Sequence, residues 1–348
     1  MPKRGNSKQS MELEERILGL VKLGEFLNDI GQENSQKNPI VETAQLHNGW
    51  FTEDNILFAI RQWAQALTRE NIEKWLQPYS FSKTENKTVA IIMAGNIPLV
   101  GFHDFISVLV SGHTALVKLS SNDKILLPYF AKKLMEFASG FSEKIQFSEG
   151  KLTGFDAVIA TGSNNTALHF EHYFGKYPNI IRKNRNSVAI LSGEETPAQL
   201  EALAGDIFRY FGLGCRNVSK LYLPEGYDFD PFFNGMFTWK EIINNDKYIN
   251  NYDYNKAVYL MSNINLLDNE FMLLKEDSNF SSPISVVFYE FYRDRNHLEN
   301  VLKEKEEKIQ CIVSNNEAEN HVTFGKTQSP ALWDYADGVD TLQFLLNL

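Results

Sequence analysis

The residue best suited to covalent chemistry is Cys215, in the run FGLGCRNVSK (211–220). A thiolate nucleophile needs room beside it for a carbonyl carbon, and backbone N–H groups facing the reacting oxygen. Gly212 and Gly214 supply that room, and the adjacent Arg216 would favour the thiolate electrostatically. The competing reading is a buried structural cysteine, since unpaired Cys is among the most buried residue types. The second cysteine, Cys311, lies in IQCIVS, a core-strand pattern, and reads as structural. Two cysteines so far apart make neither a disulfide framework nor a zinc ribbon, and they suit a reducing compartment.

Three other runs carry polar groups where a ligand would meet them. Gly95-Asn96-Ile97-Pro98 joins a buried strand to a helical stretch, and an Asn there can donate to a developing oxyanion. The plainer reading is an ordinary turn, and the run is not GxGxxG. Lys118-Leu119-Ser120-Ser121 ends the next strand and offers donors for a dinucleotide's ribose or 2′-phosphate, or else only a solvated lysine. ATGSNNTA (160–167) runs from strand to helix through Gly162 and Ser163, which is either a phosphate-attracting helix N-terminus or a plain cap. His169 and His172 share a helix but have no carboxylate-rich surroundings, so no metal is assigned. No G-x-S-x-G elbow and no Walker loop occur.

The elements that would position these groups follow from periodicity. Apolar residues recur at helical spacing over Met11–Ile30, Asn55–Leu67 and Asn71–Leu76. Residues 1–10 are polar and are expected to be disordered. From Thr88 the texture becomes strand, helix, strand, helix: TVAIIMA (88–94), Leu99–Ser111, TALVKLS (114–120), Lys124–Phe141, KIQFS (144–148), FDAVIATGS (155–163), Asn164–Tyr177 and NIIRKN (179–184). SVAILSG (187–193) opens a second such run. Thr196-Pro197-Ala198-Gln199 is a capping box, and its helix is expected to continue toward Phe211. Strands SKLYLP (219–224), EFMLLKE (270–276), ISVVFYEFY (284–292) and IQCIVS (309–314) follow, with helical stretches over Phe232–Met261 and His297–Lys308. This order predicts parallel α/β architecture.

Charge and composition narrow the function classes. Lys plus Arg is 34 against 44 Asp plus Glu, a net charge of −10, which disfavours a broadly basic nucleic-acid binder. With 43% hydrophobic and 22% charged residues the bulk must fold. The basic start leads into a helix containing Glu12, Glu14 and Glu15, so no targeting segment is expected. The longest apolar stretch, Phe105–Leu119, is broken by Ser111, Gly112, His113 and Lys118, so no transmembrane segment is expected and a cytoplasmic location is.

These features occur in the order of the aldehyde dehydrogenase superfamily, and the chain resembles most closely the bacterial acyl-CoA reductase family, which includes the fatty-acid reductase of bacterial luminescence. The stretches that carry the resemblance are MAGNIPLVGFHDFISVLVSGHTALVKLSSND (93–123), FDAVIATGSNNTA (155–167), SVAILSGEE (187–195), FGLGCRNVSKLYLP (211–224) and QSPALWDYADGVDTLQFLL (328–346). The resemblance implies an aldehyde dehydrogenase-like α/β fold with two parallel-sheet domains and the active site between them. The implied layout is a helical segment 1–87 packed on a cofactor domain 88–186, a catalytic domain 187–320 and a C-terminal arm 321–348. Such an arm often packs on a neighbouring subunit, so a homodimer or homotetramer is implied.

The resemblance also implies roles. Cys215 is the nucleophile and Asn96 the oxyanion-hole amide. Lys118, Ser120 and Ser121 hold the adenosine ribose or its 2′-phosphate, and Gly162 and Ser163 face the cofactor pyrophosphate. Glu276 and Phe280 are candidates for the nicotinamide ribose, although EDSNFSSP departs from the superfamily's shorter spacing. Hydrolytic aldehyde dehydrogenases carry a water-activating Glu upstream of the nucleophile, whereas Ile181–Ser187 here contain no carboxylate. That favours thioester chemistry. The implied activity is reduction of an acyl-CoA, or of an acyl group on a partner protein, to an aldehyde with NADPH, through an acyl-enzyme. NADPH is expected because no acidic residue precedes Asp123 near Lys118, leaving room for a 2′-phosphate. The alternatives are a cofactor-independent cysteine acyltransferase or thioesterase, and a catalytically silent homologue acting as a binding protein.

Overall fold

The structure, a computed structural model, describes residues 11–32, 38–81, 85–315 and 321–348. The expected disorder at 1–10 lies outside the described residues. The chain forms two units. Unit 1 takes the chain up to Asn48, Thr52–Lys183 and Ala331–Leu348; unit 2 takes Gly49–Phe51 and Asn184–Pro330.

Unit 1 opens with helices α1 (Leu13–Gln32), α2 (Pro39–His47), α3 (Glu53–Ala66) and α4 (Arg69–Leu76). Ile17, Leu20, Leu23, Leu27 and Ile30 put the buried stripe of α1 on one face. Thr52 and Thr68 accept the amides of Asn55 and Asn71, so α3 and α4 begin where the sequence supplies caps. Helix α2 escaped the periodicity reading. It spans nine residues and is set by its cap Asn38 and by Pro39 at the first turn.

A five-stranded sheet follows: β1 (Thr88–Ile92), α5 (Phe102–Val110), β2 (Thr114–Lys118), α6 (Leu126–Phe137), β3 (Ile145–Phe147), β4 (Ala157–Thr161), α7 (Asn164–Phe174) and β5 (Asn179–Arg182). The strands lie in the order β3-β2-β1-β4-β5, and every pairing is parallel. The winding reverses between β1 and β4. In such sheets ligands bind outside the carboxyl ends of the strands at that switch point.

Unit 2 is built from β6 (Asn186–Ile190), α8 (Pro197–Phe208), β7 (Val218–Pro224), α9 (Phe229–Met236), α10 (Asp246–Met261), β8 (Leu267–Asp268), β9 (Leu273–Glu276), β10 (Val286–Tyr292), α11 (Arg295–Glu304), β11 (Ile309–Val313) and β12 (His321–Val322). Its sheet runs β12-β11-β6-β7-β10-β9-β8, parallel except for the antiparallel pair β8–β9. The capping box forms as expected: the Thr196 side chain accepts the Gln199 amide and Gln199 Oε1 accepts the Thr196 amide at 2.8 Å. The core on one face joins Leu200, Leu203, Ile207 and Phe208 of α8 to Leu221, Leu223, Met272 and Val287.

The chain then returns to unit 1 at Ala331 and ends in α12 (Thr341–Leu346). His103 Nε2 donates to Leu332 O and His113 Nε2 to Leu345 O, both at 2.8 Å. Trp75 Nε1 donates to the Tyr335 hydroxyl at 2.7 Å, and Tyr79 donates to Asp340 Oδ2 at 2.7 Å. Arg182 is the buried centre of this region. It pairs with Asp104 of α5 at 2.7 Å and donates to Thr341 Oγ1 and Ala336 O, each at 2.8 Å. These contacts hold residues from Ala331 onward on the chain's own first unit, while the preceding residues from His321 to Pro330 belong to unit 2.

Candidate active site

Cys215 lies on the loop between α8 and β7 and is exposed, whereas Cys311 is buried in β11. Helix α8 stops at Phe208, short of the expected Phe211, and the reason is one side chain. Asn217 is buried, and its Nδ2 donates to the carbonyls of Asp206 (3.1 Å), Ile207 (3.3 Å) and Arg209 (2.8 Å). It satisfies the helix's last carbonyls in place of a further turn. Its Oδ1 accepts the Gly214 amide at 2.8 Å, so the same residue fixes the approach to Cys215. Tyr210 and Phe211 are forced into left-handed backbone (φ 56° and 59°), and Gly212 takes φ 74° without a Cβ to clash. Strained non-glycine backbone of this kind concentrates at functional sites. The Cys215 carbonyl accepts the Ser187 hydroxyl at 3.0 Å.

Arg216 has a partner that its position does not suggest: its Nη1 donates to Cys311 Sγ at 3.4 Å, a buried thiol on β11. Asn217 was the residue missed. Its signal was there: an Asn two places after a Gly-flanked Cys, at the end of a helix pattern. Asn217→Asp retains the acceptor for Gly214 but turns an oxygen toward three carbonyls. It is expected to lower unfolding free energy by about 3 kcal/mol. Denaturant titration of the purified variant checks this; an unchanged midpoint would mean that something else holds the loop.

The remaining polar candidates gather at one edge of unit 1. Asn96 follows β1, Lys118, Ser120 and Ser121 end or follow β2, and Gly162 and Ser163 follow β4, and both β2 and β4 pair with β1. The turn after β1 is longer than expected. Leu99 adopts φ 58°, and α5 starts only at Phe102. Leu99's amide is captured instead by Asp123 Oδ2 at 3.3 Å. Asp123 is buried, and burial pushes its carboxyl up to about 6, with the amides of Leu99, Leu126 and Ile125 pulling the other way. A Cβ on Gly95 would come within 2.6 Å of Ser120 Oγ, so only glycine lets the two turns pack. His47 Nε2 donates to Ser121 O at 2.9 Å and Asn48 Nδ2 to Asn122 O at 3.1 Å, which steadies the second turn from α2. Asp123 is thus a second positioning residue that motif reading passed over.

The donors at this edge suit an anionic dinucleotide. Lys118 supplies a cation, its Nζ donating to Gly150 O at 3.1 Å, and Ser120 and Ser121 add hydroxyls. Ser163 caps α7, accepting the Thr166 amide, and no acidic residue occupies the first turn of that helix. The positive end of the helix dipole therefore faces this edge without a competing carboxylate.

The last two candidates separate by burial. Glu276 ends β9 and is exposed. Phe280 is buried with Val188, Ile190, Tyr222, Leu298 and Leu302 in a core cluster of unit 2. Its ring serves as an anchor for the segment, leaving Glu276 as the residue presented to solvent. Among the described residues no group of three His, Cys, Asp or Glu side chains is placed to hold a metal ion, and no helix is long and apolar enough to cross a membrane.

No protein-family model and no curated protein matches the sequence. Solved structures do. An indole-3-acetaldehyde dehydrogenase in complex with NAD+ aligns over 90% of this chain and 74% of its own, at 13% identity and a TM-score of 0.65. An aldehyde dehydrogenase C variant from Pseudomonas syringae with NAD+ and octanal aligns over 89% and 78%, at 11% identity and a TM-score of 0.63. An NAD+ complex of an aldehyde dehydrogenase from Bacillus cereus covers 90% and 74%, at 13% and 0.63. The fold is aldehyde dehydrogenase-like.

Proposed function

We propose that the protein is an NADPH-dependent acyl thioester reductase, which converts an acyl-CoA or an acyl group carried by a partner protein to the aldehyde. One observation carries this reading: the exposed Cys215 stands on a strained loop locked by Asn217, in a chain of aldehyde dehydrogenase-like fold. The solved neighbours that hold NAD+, and the one that also holds octanal, support a nicotinamide cofactor and an aldehyde product.

In this mechanism the Cys215 thiolate attacks the thioester carbonyl, and the leaving thiol departs to give an acyl-enzyme. The Cys215 amide and the Asn96 side chain are the proposed donors to the oxyanion. Lys118, Ser120 and Ser121 hold the adenosine end of the cofactor, and Gly162 and Ser163 its pyrophosphate. When bound, the reduced nicotinamide supplies hydride to the acyl carbon. The resulting thiohemiacetal on Cys215 expels the thiolate and releases the aldehyde. Ile181–Ser187 place no carboxylate in the chain stretch that bears the water-activating base of hydrolytic relatives, and Arg182 within it is committed to Asp104. That stretch therefore supplies no base for hydrolysis of the acyl-enzyme.

The test uses acyl-CoA substrates of graded length with NADPH or NADH. The expected result is an acyl mass on Cys215 without cofactor, aldehyde formation on adding NADPH, and tighter binding of NADPH than of NADH. Thiol release with no aldehyde under any condition would instead support a cofactor-independent acyltransferase.

A further inference from the structure

Two side chains of β7 reach the segment that carries Glu276. Ser219 Oγ donates to Phe280 O at 2.7 Å. Lys220 Nζ donates to Asp277 O at 2.9 Å and to Glu290 Oε2 on β10 at 2.6 Å. Lys220 is fully buried, with its ammonium 4.9 Å from the Tyr222 ring centre and 5.6 Å from that of Phe280. Burial draws the lysine below its ordinary range, and Glu290 opposes this.

A buried ammonium is a poor way to stabilise a core, since an apolar residue of similar volume commonly does as well or better. What the lysine adds is direction: its donors are spent on one carboxylate and on the backbone of one segment. That segment is ordered internally as well. Lys275 pairs with Asp277, Asp277 Oδ1 accepts the Asn279 amide at 2.8 Å, and the Asp277 amide donates to Tyr289 O at 3.1 Å. Glu276 is left exposed between fixed neighbours.

We propose that Lys220, assisted by Ser219, is a positioning residue that sets Glu276 for the ribose of a nicotinamide cofactor. The proposal rests on the reductase reading, extended by the role for Glu276 at the nicotinamide ribose that the resemblance implies. Its consequence is that β7, which leaves the Cys215 loop, also aligns the segment that grips the cofactor. Nucleophile and cofactor contact are then registered by one strand.

The test is Lys220→Met in the full-length protein. NADPH affinity by fluorescence titration is expected to weaken about ten- to a hundredfold, while cofactor-free acylation of Cys215, read by intact mass, stays within about twofold. Hydrogen exchange over residues 276–280 should quicken in the cofactor-free variant, and Lys220→Arg should recover part of the affinity. Should Lys220→Met not fold, Ser219→Ala and Glu290→Gln each remove one contact and are expected to weaken NADPH about three- to tenfold. Unchanged affinity and unchanged exchange in the folded variants overturn the proposal. A wild-type protein that binds NADPH with Lys220-dependent affinity but never acylates Cys215 sustains it and removes the reductase reading. A wild-type protein that binds no nicotinamide cofactor removes both.

Discussion

Cys215→Ala is expected to fold normally and to lose acyl-enzyme formation and thioester-dependent NADPH oxidation together. The loop's shape is set by Asn217, Gly212 and the Ser187 hydroxyl on the Cys215 carbonyl, and alanine keeps the backbone that they hold. The thiol is exposed, so its removal should move stability by less than about 0.5 kcal/mol. Turnover should fall at least ~10³-fold, the scale on which the loss of a nucleophile is felt. Stopped-flow absorbance of NADPH and intact mass after acyl-CoA treatment read the two losses separately. Cys311→Ala gives the contrast. It removes a buried sulfur that accepts from Arg216 and should leave an acyl mass on Cys215. A Cys215→Ala protein that consumes NADPH at the wild-type rate would remove the covalent mechanism.

Arg182→Met is expected to give the largest loss of stability. Its guanidinium joins the end of β5 to Asp104 of α5 and to Ala336 and Thr341 of the returning segment, and both members of the ion pair are buried. Removing the cation leaves an unpaired buried carboxylate, which costs about 3–5 kcal/mol. The double change Arg182→Met with Asp104→Leu should recover much of this, because the penalty comes from the stranded charge. Denaturant midpoints of the single and double variants decide it; a drop below about 1 kcal/mol in the single variant would mean that water reaches the site.

The sheet strands were legible in the sequence because their patterns are long and apolar: TVAIIMA, TALVKLS and ISVVFYEFY each contain an observed strand. What escaped was short or was decided at a distance. β8 and β12 have two residues each, too few for any period to register. The ends of the helices beside the site were misplaced for separate reasons. Leu99 takes left-handed backbone, which keeps it out of α5, and after Phe208 the helix carbonyls go to Asn217. Only in the second case does a side chain take hydrogen bonds that helix continuation would need. The candidate residues themselves, Cys215, Asn96 and Lys118 among them, were visible by type. Phe280 was visible too, but its burial depends on partners such as Val188 and Leu302, distant in sequence. Of the residues that hold the candidates in place, Asn217 left a local signal, whereas Asp123 and Lys220 did not, since they act through contacts that only the fold creates.

The return of the chain to unit 1 at Ala331 has a consequence for synthesis. A ribosome releases all of unit 2, through Pro330, before it releases the last piece of unit 1. Unit 2 can therefore close on itself first, while unit 1 waits with Arg182 short of its bonds to Ala336 and Thr341 and with His113 short of Leu345. The first-made unit is thus the one that waits for residues encoded beyond the whole of the other.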